Sequence, residues 1–175
     1  MTPALSGAAL PDVLEPGLRV VFCGSAAGRV SAARGAYYAG PGNRFWCALA
    51  QAGLTPHELR PEDFRSLPRH GLGLTDLCKT ASGGDAELPR DGDDVAGLIA
   101  RIDRVRPAWV AFVGKRPARV VYGRRVATGE QPDSPFAASR VFVLPSPSGA
   151  ARGHWSLAPW LELAALAGFQ PPPTP

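Results

Sequence analysis

The sequence has few cysteines and no cluster of residues at metal-binding spacing. Its three cysteines, Cys23, Cys47 and Cys78, occur singly, with no C-x-x-C pair and no histidine at zinc-finger spacing. This pattern argues against a zinc site and against a disulfide framework, and it is typical of proteins in a reducing compartment. We therefore expect no bound metal and a cytoplasmic protein.

Long apolar runs and a strong excess of one charge are also absent. Nowhere do about 18 apolar residues follow one another, and the N-terminus has no basic region leading into an apolar stretch. The sequence therefore predicts no membrane span and no secretion signal. The formal net charge of +4 and the isoelectric point of about 9.3 favour a polyanionic partner only mildly.

The size of the chain predicts one domain. Its 175 residues are 45% hydrophobic, which is enough to bury a single core. Glycine and proline are abundant, with 20 and 19 residues, and several prolines lie near the ends of the chain. We predict a single domain over residues 13–167, a flexible N-terminus over residues 1–12 and a flexible proline-rich tail over residues 168–175.

Short apolar segments alternate with helical patterns along the chain. The predicted strands cover residues 18–23, 71–77, 109–113 and 141–144, and the predicted helices cover residues 43–53, 94–105 and 157–167. This order predicts an α/β fold, a three-layer sandwich with a central four-stranded parallel sheet flanked by helices. Ligands of such sheets bind beyond the carboxyl ends of the strands, so the residues after each strand are candidates for a site.

The segment after the first strand suits a nucleobase. Residues 24–46 read GSAAGRVSAARGAYYAGPGNRFW, in which small residues would let backbone amides approach a ligand. Tyr37 and Tyr38 offer flat faces for stacking. No Gly-Lys-Ser/Thr follows, so this is not a phosphate-binding P-loop. Composition alone is also compatible with a glycine-rich loop whose two tyrosines pack on the core.

The segment after the fourth strand suits a phosphate. Residues 144–155 read LPSPSGAARGHW, and the two prolines stiffen the turn. Ser146, Ser148 and Gly149 could present hydroxyls and amides to a phosphate, with Arg152 as a charged partner. The alternative is a proline-rich turn with a solvated arginine.

Together, these segments resemble the signature motifs of the uracil-DNA glycosylase superfamily, in particular its mismatch-specific uracil-DNA glycosylase and thymine-DNA glycosylase branch. Residues 16–24 (PGLRVVFCG) resemble the first strand of that family, and residues 41–46 (PGNRFW) resemble its P-x-N-R-F-W helix start. Residues 146–149, with Arg152, resemble its N-P-S-G-x-x-R loop. The resemblance implies an enzyme that flips a deaminated or mismatched base, with uracil expected first, out of DNA and hydrolyses its N-glycosidic bond.

The resemblance also implies the partner and a set of site residues. We expect a monomer that needs no metal or organic cofactor and acts on single- or double-stranded DNA. Tyr38 falls where the family has the aromatic ring that stacks on the flipped base, and Ser146 falls where the mismatch-specific branch has an asparagine. The expected base-binding residues are Gly24, Ser25, Ala26, Tyr38 and Ser146. The expected DNA-binding residues are Ser31, Lys79, Ser148, Gly149, Ala150, Arg152 and His154.

Two departures from the family pattern affect the predicted chemistry. The first motif of the family is G-I-N-P-G, whose asparagine positions the attacking water, but residues 24–28 here read GSAAG and place Ala26 at that point. The bulky residue that wedges into the duplex after N-P-S-G is replaced by Ala150. A wedge would then have to come from elsewhere, with Arg152 and His154 as candidates.

Asp76 is the predicted catalytic residue. Residues 71–79 (GLGLTDLCK) place it at the end of the second strand, which lies beside the first strand in this fold. Breaking the glycosidic bond builds positive charge on the sugar, and a carboxylate can oppose that charge and orient a water. Some members of the superfamily resemble this pattern. The alternative role for Asp76 is to cap the following turn, and Asp85 is the second candidate for catalysis.

Two other functions remain open from the sequence. The loss of the asparagine at Ala26 is compatible with a DNA-binding member of the fold that has lost its activity. The fold class is also compatible with an α/β enzyme that acts on free nucleosides. We expect the basic residues after the third strand to form a solvated face; these are Lys115, Arg116, Arg119, Arg124 and Arg125.

Overall fold

A computed structural model describes residues 10–174, except for the side chains of Arg152 and His154. Its centre is a five-stranded sheet with the order β2-β1-β3-β5-β4. Neighbours among β1, β2, β3 and β5 pair in parallel, as the sequence predicts. The strands are β1 (Val20–Gly24), β2 (Leu72–Asp76), β3 (Trp109–Val113), β4 (Gly129–Glu130) and β5 (Arg140–Leu144).

Helices cover both faces of the sheet and complete the three-layer sandwich. The α-helices are α1 (Arg29–Arg34), α2 (Phe45–Gln51), α3 (Val95–Val105), α4 (Lys115–Tyr122) and α5 (Ala158–Leu166). Three 3₁₀ helices cover Pro61–His70, Asp85–Glu87 and Gly149–His154. None of the helices within residues 10–174 has the length and apolarity needed to cross a membrane.

The alternation of side chains along each strand builds two cores, one on each face of the sheet. Val20 and Phe22 of β1 pack with α2 and α5, whereas Val21 and Cys23 pack with α3 and α4. Successive strand residues point to opposite faces, and here both faces are covered. This explains why the predicted parallel strands read as continuous apolar runs, and the three predicted helices correspond to α2, α3 and α5.

The predicted sheet of four strands has one strand fewer than the observed sheet. Gly129 and Glu130 form a fifth, antiparallel strand, paired with Val143 and Phe142 of β5. This edge strand has only two residues, one of intermediate exposure and one exposed, so it is too short to show an apolar run or an alternation. Sequence periodicity therefore carries no signal for it. The basic segment after β3, predicted only as a short stretch, is the helix α4.

Both ends of the described chain lie against the domain. Val13 exchanges two backbone hydrogen bonds of 2.9 Å with Leu74 of β2, and Leu10 is buried. The boundary predicted at residue 12 thus falls inside a packed segment, and the rest of the predicted N-terminal extension, residues 1–9, lies outside the described residues. At the other end, Phe169 packs partly on the core and receives the Arg19 guanidinium over its ring.

Candidate active site

A cavity of about 590 Å³ lies at the carboxyl ends of the parallel strands. Its volume falls within the range of about 300–1,000 Å³ that is usual for ligand sites. The lining includes residues at or just after the ends of four strands: Gly24, Asp76, Val113 and Ser146. The rule that ligands bind beyond the strand ends therefore locates the cavity correctly.

The structure brings most of the predicted site residues together in this one cavity. The residues of the predicted set that line it are Gly24, Ser25, Ala26, Ser31, Tyr38, Asp76, Ser146, Ser148, Gly149 and Ala150. Asp85, the second candidate for catalysis, also lines it. Lys79 does not, and the side chains of Arg152 and His154 are outside the described part of the chain.

Asp76 ends β2 and lies directly opposite Gly24 of β1. Only 3% of the residue is exposed. Burial raises the pKa of Asp76 to about 7; Lys79 and Arg101 oppose this rise, and Asp12 adds to it. The carboxyl group therefore changes its charge near neutral pH, which is the range in which a general acid or base works best.

The capping role considered for Asp76 finds no support in its contacts. The amide of Cys78, which a cap would bind, donates instead to the carbonyl of Ser25 at 2.7 Å, and the amide of Leu77 donates to the carbonyl of Gly24 at 2.9 Å. Within residues 10–174 the Asp76 side chain makes no capping hydrogen bond. The β2 turn is thus stabilised by the first loop, and the Asp76 carboxylate is left for other partners.

Gly24 allows Asp76 and Tyr38 to approach the same point. A Cβ atom on Gly24 would lie 2.7 Å from Oδ1 of Asp76 and 3.0 Å from the hydroxyl of Tyr38. Because a Cβ atom needs more room than this, only glycine fits here without a shift of the neighbours. The first-motif glycine therefore makes space for a carboxylate and a phenol above the end of β1.

Tyr38 has an unusual environment. Its backbone is left-handed, with φ of 53°, which is uncommon for a residue other than glycine. Its ring stacks on Phe45, with 4.0 Å between centroids, and also lines the cavity. Its buried hydroxyl has no hydrogen-bond partner within residues 10–174. A strained residue with an unsatisfied polar group at a cavity is a recognised feature of functional sites.

Tyr37 also lines the cavity, but nearly all of the residue is buried inside the protein. It is 2% exposed, and its hydroxyl donates to the carbonyl of Pro11 at 3.1 Å. The edge of its ring contacts Phe64, with 5.3 Å between centroids. Of the two tyrosines that the sequence offers for stacking, Tyr38 is therefore the one with a more accessible ring in the cavity wall.

A group of partly buried charges lies near Asp76. Asp12 contacts Nζ of Lys79 at 2.9 Å and Nε of Arg101 at 3.2 Å. Arg101, from α3, also donates to the backbone carbonyl of Asp76 at 3.0 Å. Sequence reasoning missed Asp12 because it lies in a segment predicted to be flexible, and it missed Arg101 because that residue is in the interior of an amphipathic helix.

This group gives Lys79 a different environment from the predicted one. Its ammonium donates to the carbonyl of Leu10 at 2.6 Å, in addition to its ion pair with Asp12. A lysine held by two internal acceptors and absent from the cavity lining is poorly placed to contact a phosphate. The sequence does not show that the N-terminal segment lies against Lys79.

The two loops that resemble family motifs pack against each other. The amide of Arg44 donates to the carbonyl of Pro147 at 2.9 Å, and a Cβ atom on Gly149 would lie 3.1 Å from the carbonyl of Pro41. Ser146 and Ser148 accept hydrogen bonds from the amides two residues further on, both at 3.3 Å. Their hydroxyls thus shape the turn that forms this wall of the cavity.

The outer edge of the cavity is charged and exposed. Asp85 and Lys115 line it with exposed side chains, and Arg29 reaches Glu87 across 3.0 Å. Arg116 also lines the cavity, but both of its terminal nitrogens bind Asp93, at 3.1 and 2.9 Å. Lys115 and Arg116 were expected only on a solvated face, although their position just after β3 was a usable signal.

Within residues 10–174, no three His, Cys, Asp or Glu side chains are grouped so that they could hold a metal ion. The carboxylates near the cavity are either paired with cations, as Asp12 and Asp93 are, or separated between its inner and outer parts. The described donor set therefore offers no metal centre.

Comparison with known proteins identifies the family of the chain. A sequence profile described as the Uracil DNA glycosylase superfamily matches residues 11–170, so the chain belongs to this superfamily of DNA glycosylases. Among solved structures, the chain is similar to the solution NMR structure of a candidate uracil DNA glycosylase from Methanosarcina acetivorans. The two share 23% identity with a TM-score of 0.59, over 91% of this chain and 95% of that chain, which shows a common fold.

Proposed function

We propose that the protein removes a deaminated or mismatched base, with uracil as the first substrate to test, from DNA and leaves an abasic site. The observation that carries the proposal is the buried carboxyl group of Asp76 at the base of a cavity formed by both motif loops. Such a cavity admits a single base only after that base has left the helical stack, so the proposal includes base flipping.

The proposed reaction is a hydrolysis at the anomeric carbon of the nucleotide. The bond from this carbon to the base nitrogen breaks, the base leaves with the electron pair, and a bond to a water oxygen forms. Asp76, as a carboxylate, orients the water, accepts its proton and opposes the positive charge that develops on the sugar. In this scheme Asp76 performs the task that the family pattern assigns to an asparagine at the position of Ala26.

Tyr38 supports this assignment from the opposite side of Gly24. Its hydroxyl lies 3.0 Å, and Oδ1 of Asp76 lies 2.7 Å, from the position that a Cβ atom on Gly24 would take, so both polar groups adjoin the same glycine in the cavity lining. Its ring is available in the cavity wall and can stack on a flipped base, as aromatic rings do in single-strand binding sites.

The proposal is tested by base release under single-turnover conditions with enzyme in excess, so that slow product release does not hide the chemical step. The substrates are oligonucleotides that carry uracil, thymine or hypoxanthine, single-stranded and in mismatched duplexes, together with free deoxyuridine. All reactions contain EDTA, since we expect no metal requirement.

Release of uracil from the oligonucleotides, without cleavage of free deoxyuridine, is the expected result. Binding of DNA without release of any base would show a member of the superfamily that has lost its activity. Cleavage of free deoxyuridine alone would show a nucleoside enzyme. Either of these two results would contradict the proposal.

A further inference from the structure

A second carboxylate, which is partly buried, lies near Asp76 and belongs to the N-terminal segment. Asp12 precedes Val13, whose amide and carbonyl both pair with Leu74 of β2 at 2.9 Å. This backbone pairing fixes the segment next to the strand that ends in Asp76. The position of Asp12 is therefore set by the sheet and not by its side chain alone.

Asp12 binds both of the cations that lie near Asp76. One of its oxygens is 2.9 Å from Nζ of Lys79 and accepts a hydrogen bond of 2.8 Å from the Thr75 hydroxyl. The other oxygen is 3.2 Å from Nε of Arg101. The side chains of Asp12, Lys79 and Arg101 are only 22%, 22% and 19% exposed, so water screens these contacts weakly.

Asp76 makes no ion pair within residues 10–174, although Lys79 is only three residues away. If Lys79 turned to Asp76, a buried ion pair would hold the carboxylate and occupy the place where a water must bind. Ion pairs in a protein interior are difficult to separate because a cation left alone there loses its hydration. The commitment of Lys79 and Arg101 to Asp12 prevents this outcome.

We infer that Asp12 is a positioning residue of the active site, which holds Lys79 and Arg101 away from the carboxylate of Asp76 and so leaves that carboxylate free to bind a water. This inference rests on the catalytic role proposed for Asp76. It assigns the N-terminal segment a part in catalysis although Asp12 is absent from the cavity lining.

Six ionisable side chains among residues 10–174 are electrostatically coupled to Asp76. Asp12 of the N-terminal segment, Lys79 of the turn after β2 and Arg101 of α3 shift its pKa. The charge of Asp76 in turn contributes to the raised pKa of Cys23 of β1 and of Tyr37 and Tyr38 of the loop after α1. Burial raises the pKa of Cys23, Tyr37 and Tyr38 well above their ordinary values, so these three are neutral near pH 7. Only Asp12, Lys79 and Arg101 remain as charges that can tune Asp76.

The inference predicts opposite effects from two substitutions. Asp12→Asn removes an anion and releases Lys79, so the pKa of Asp76 should fall by at least about one unit. Lys79→Met removes a cation and should raise it. The titration of the Asp76 carboxyl carbon is followed by NMR on the full chain, and the acid limb of base release should move in the same directions. Released Lys79 should also lower the rate of Asp12→Asn about tenfold at its plateau.

A double substitution tests whether Asp12 acts through Lys79. In Asp12→Asn/Lys79→Met no lysine can turn to Asp76, so the titration and the plateau rate should return most of the way to wild type. Asp133→Asn is the matched control, because it also breaks an aspartate–arginine pair, to Arg124, but at an exposed site outside the cavity lining. It should change neither the titration nor the rate.

Equal or absent shifts in the two single variants would overturn the inference, as would a double variant no better than Asp12→Asn. Should Asp12→Asn fail to fold, Lys79→Met alone decides, since its shift must be upward. The NMR titration does not depend on activity. If wild type releases no base, the proposed function fails while the titration still shows whether Asp12 controls Asp76.

Discussion

The inner and the outer part of the cavity each contain an aspartate, but the inner one is buried and the outer one is exposed. We call Gly24, Tyr38 and Asp76 the cavity floor, and Arg29, Asp85 and Lys115 the cavity rim. Asp76 is 3% exposed, whereas Asp85 is exposed to solvent. Water and salt weaken any field that a rim charge produces, but a floor charge acts at short range in a poorly screened space. The floor is therefore suited to chemistry and the rim to attraction of a charged partner.

The ion pairs of the two regions differ in the same way. Arg29 and Glu87 at the rim have side chains that are 76% and 48% exposed, and exposed pairs of this kind contribute about 0–1 kcal/mol. The pairs of Asp12 behind the floor are about four-fifths buried. A change of one partner there leaves a charge in the interior, so small substitutions near the floor should have large effects.

The largest expected effect is on Asp76 itself. Asp76→Asn keeps the size of the side chain but removes its charge and its ability to accept a proton, so the single-turnover rate should fall at least about a hundredfold. Asp85→Asn makes the same chemical change at the rim and should leave most of the activity. Binding of DNA should change little in both variants.

A folded Asp76→Asn enzyme that releases uracil at the wild-type rate would contradict the catalytic role of Asp76 on the cavity floor. Thermal melts at about pH 8 provide the folding control. Because the raised pKa of Asp76 means that its ionised form opposes folding, Asp76→Asn should melt at or above the wild-type temperature.

The next largest effect is expected at Tyr38. Tyr38→Ala removes a ring that lines the cavity and should weaken the binding of lesion-containing DNA by about 1–3 kcal/mol relative to undamaged DNA. Tyr38→Phe keeps the ring and should be mild. Tyr37→Ala serves as the control and should mainly lower the melting temperature, because Tyr37 is 2% exposed. The reverse result, with excision lost only in a folded Tyr37→Ala variant, would show that Tyr37 and not Tyr38 is the residue that stacks on the base.

The pH dependence of the base-release rate should reflect the charge of Asp76 on the cavity floor and not the charges of the cavity rim. The raised pKa of about 7 for Asp76 means that the carboxylate form is lost as the pH falls through 7. The single-turnover rate should therefore decline about tenfold per unit below that point and reach a plateau above it. A limb near the ordinary carboxyl pKa of 3.8 would contradict a role for the buried carboxyl group of Asp76 in the rate.

The stability of the protein should depend on pH in the opposite direction. A carboxyl group whose pKa is raised by folding stabilises the folded state fully below its ordinary pKa of 3.8, and this contribution is lost as the pH rises towards 7. The free energy of unfolding, measured by denaturant titration, should decrease less with pH over this range in Asp76→Asn than in wild type. Parallel curves for the two proteins would contradict the buried environment of Asp76.

The smallest effect is expected at the rim. Lys115→Ala should weaken DNA binding only a few-fold and reduce the dependence of affinity on salt by about one counterion, as the loss of one phosphate contact does. Arg125→Ala is the control, because Arg125 is exposed but outside the cavity lining. Equal effects of the two variants would show a diffuse basic surface without a particular role for the rim.

The sequence predicted the parts of the fold that repeat a simple pattern. Each parallel strand is covered on both faces, so its apolar run was visible, and the helices α2 and α3 had apolar residues at helical spacing. The two-residue strand β4 had no such pattern and was missed. The packing of residues 10–13 was missed because one backbone bridge to Leu74 leaves no periodic signal.

For the site, the sequence by itself determined which residues follow the strands, and this was enough to place Gly24, Asp76 and Ser146 at one edge of the sheet. Only the tertiary structure decided the environment of each residue. Whether an aspartate is buried or exposed, which cations it contacts and which tyrosine is the more exposed in the cavity wall depend on segments far apart in the chain. Asp12 and Asp76 are one example, because the sheet register that brings the N-terminal segment beside β2 is a property of the folded protein.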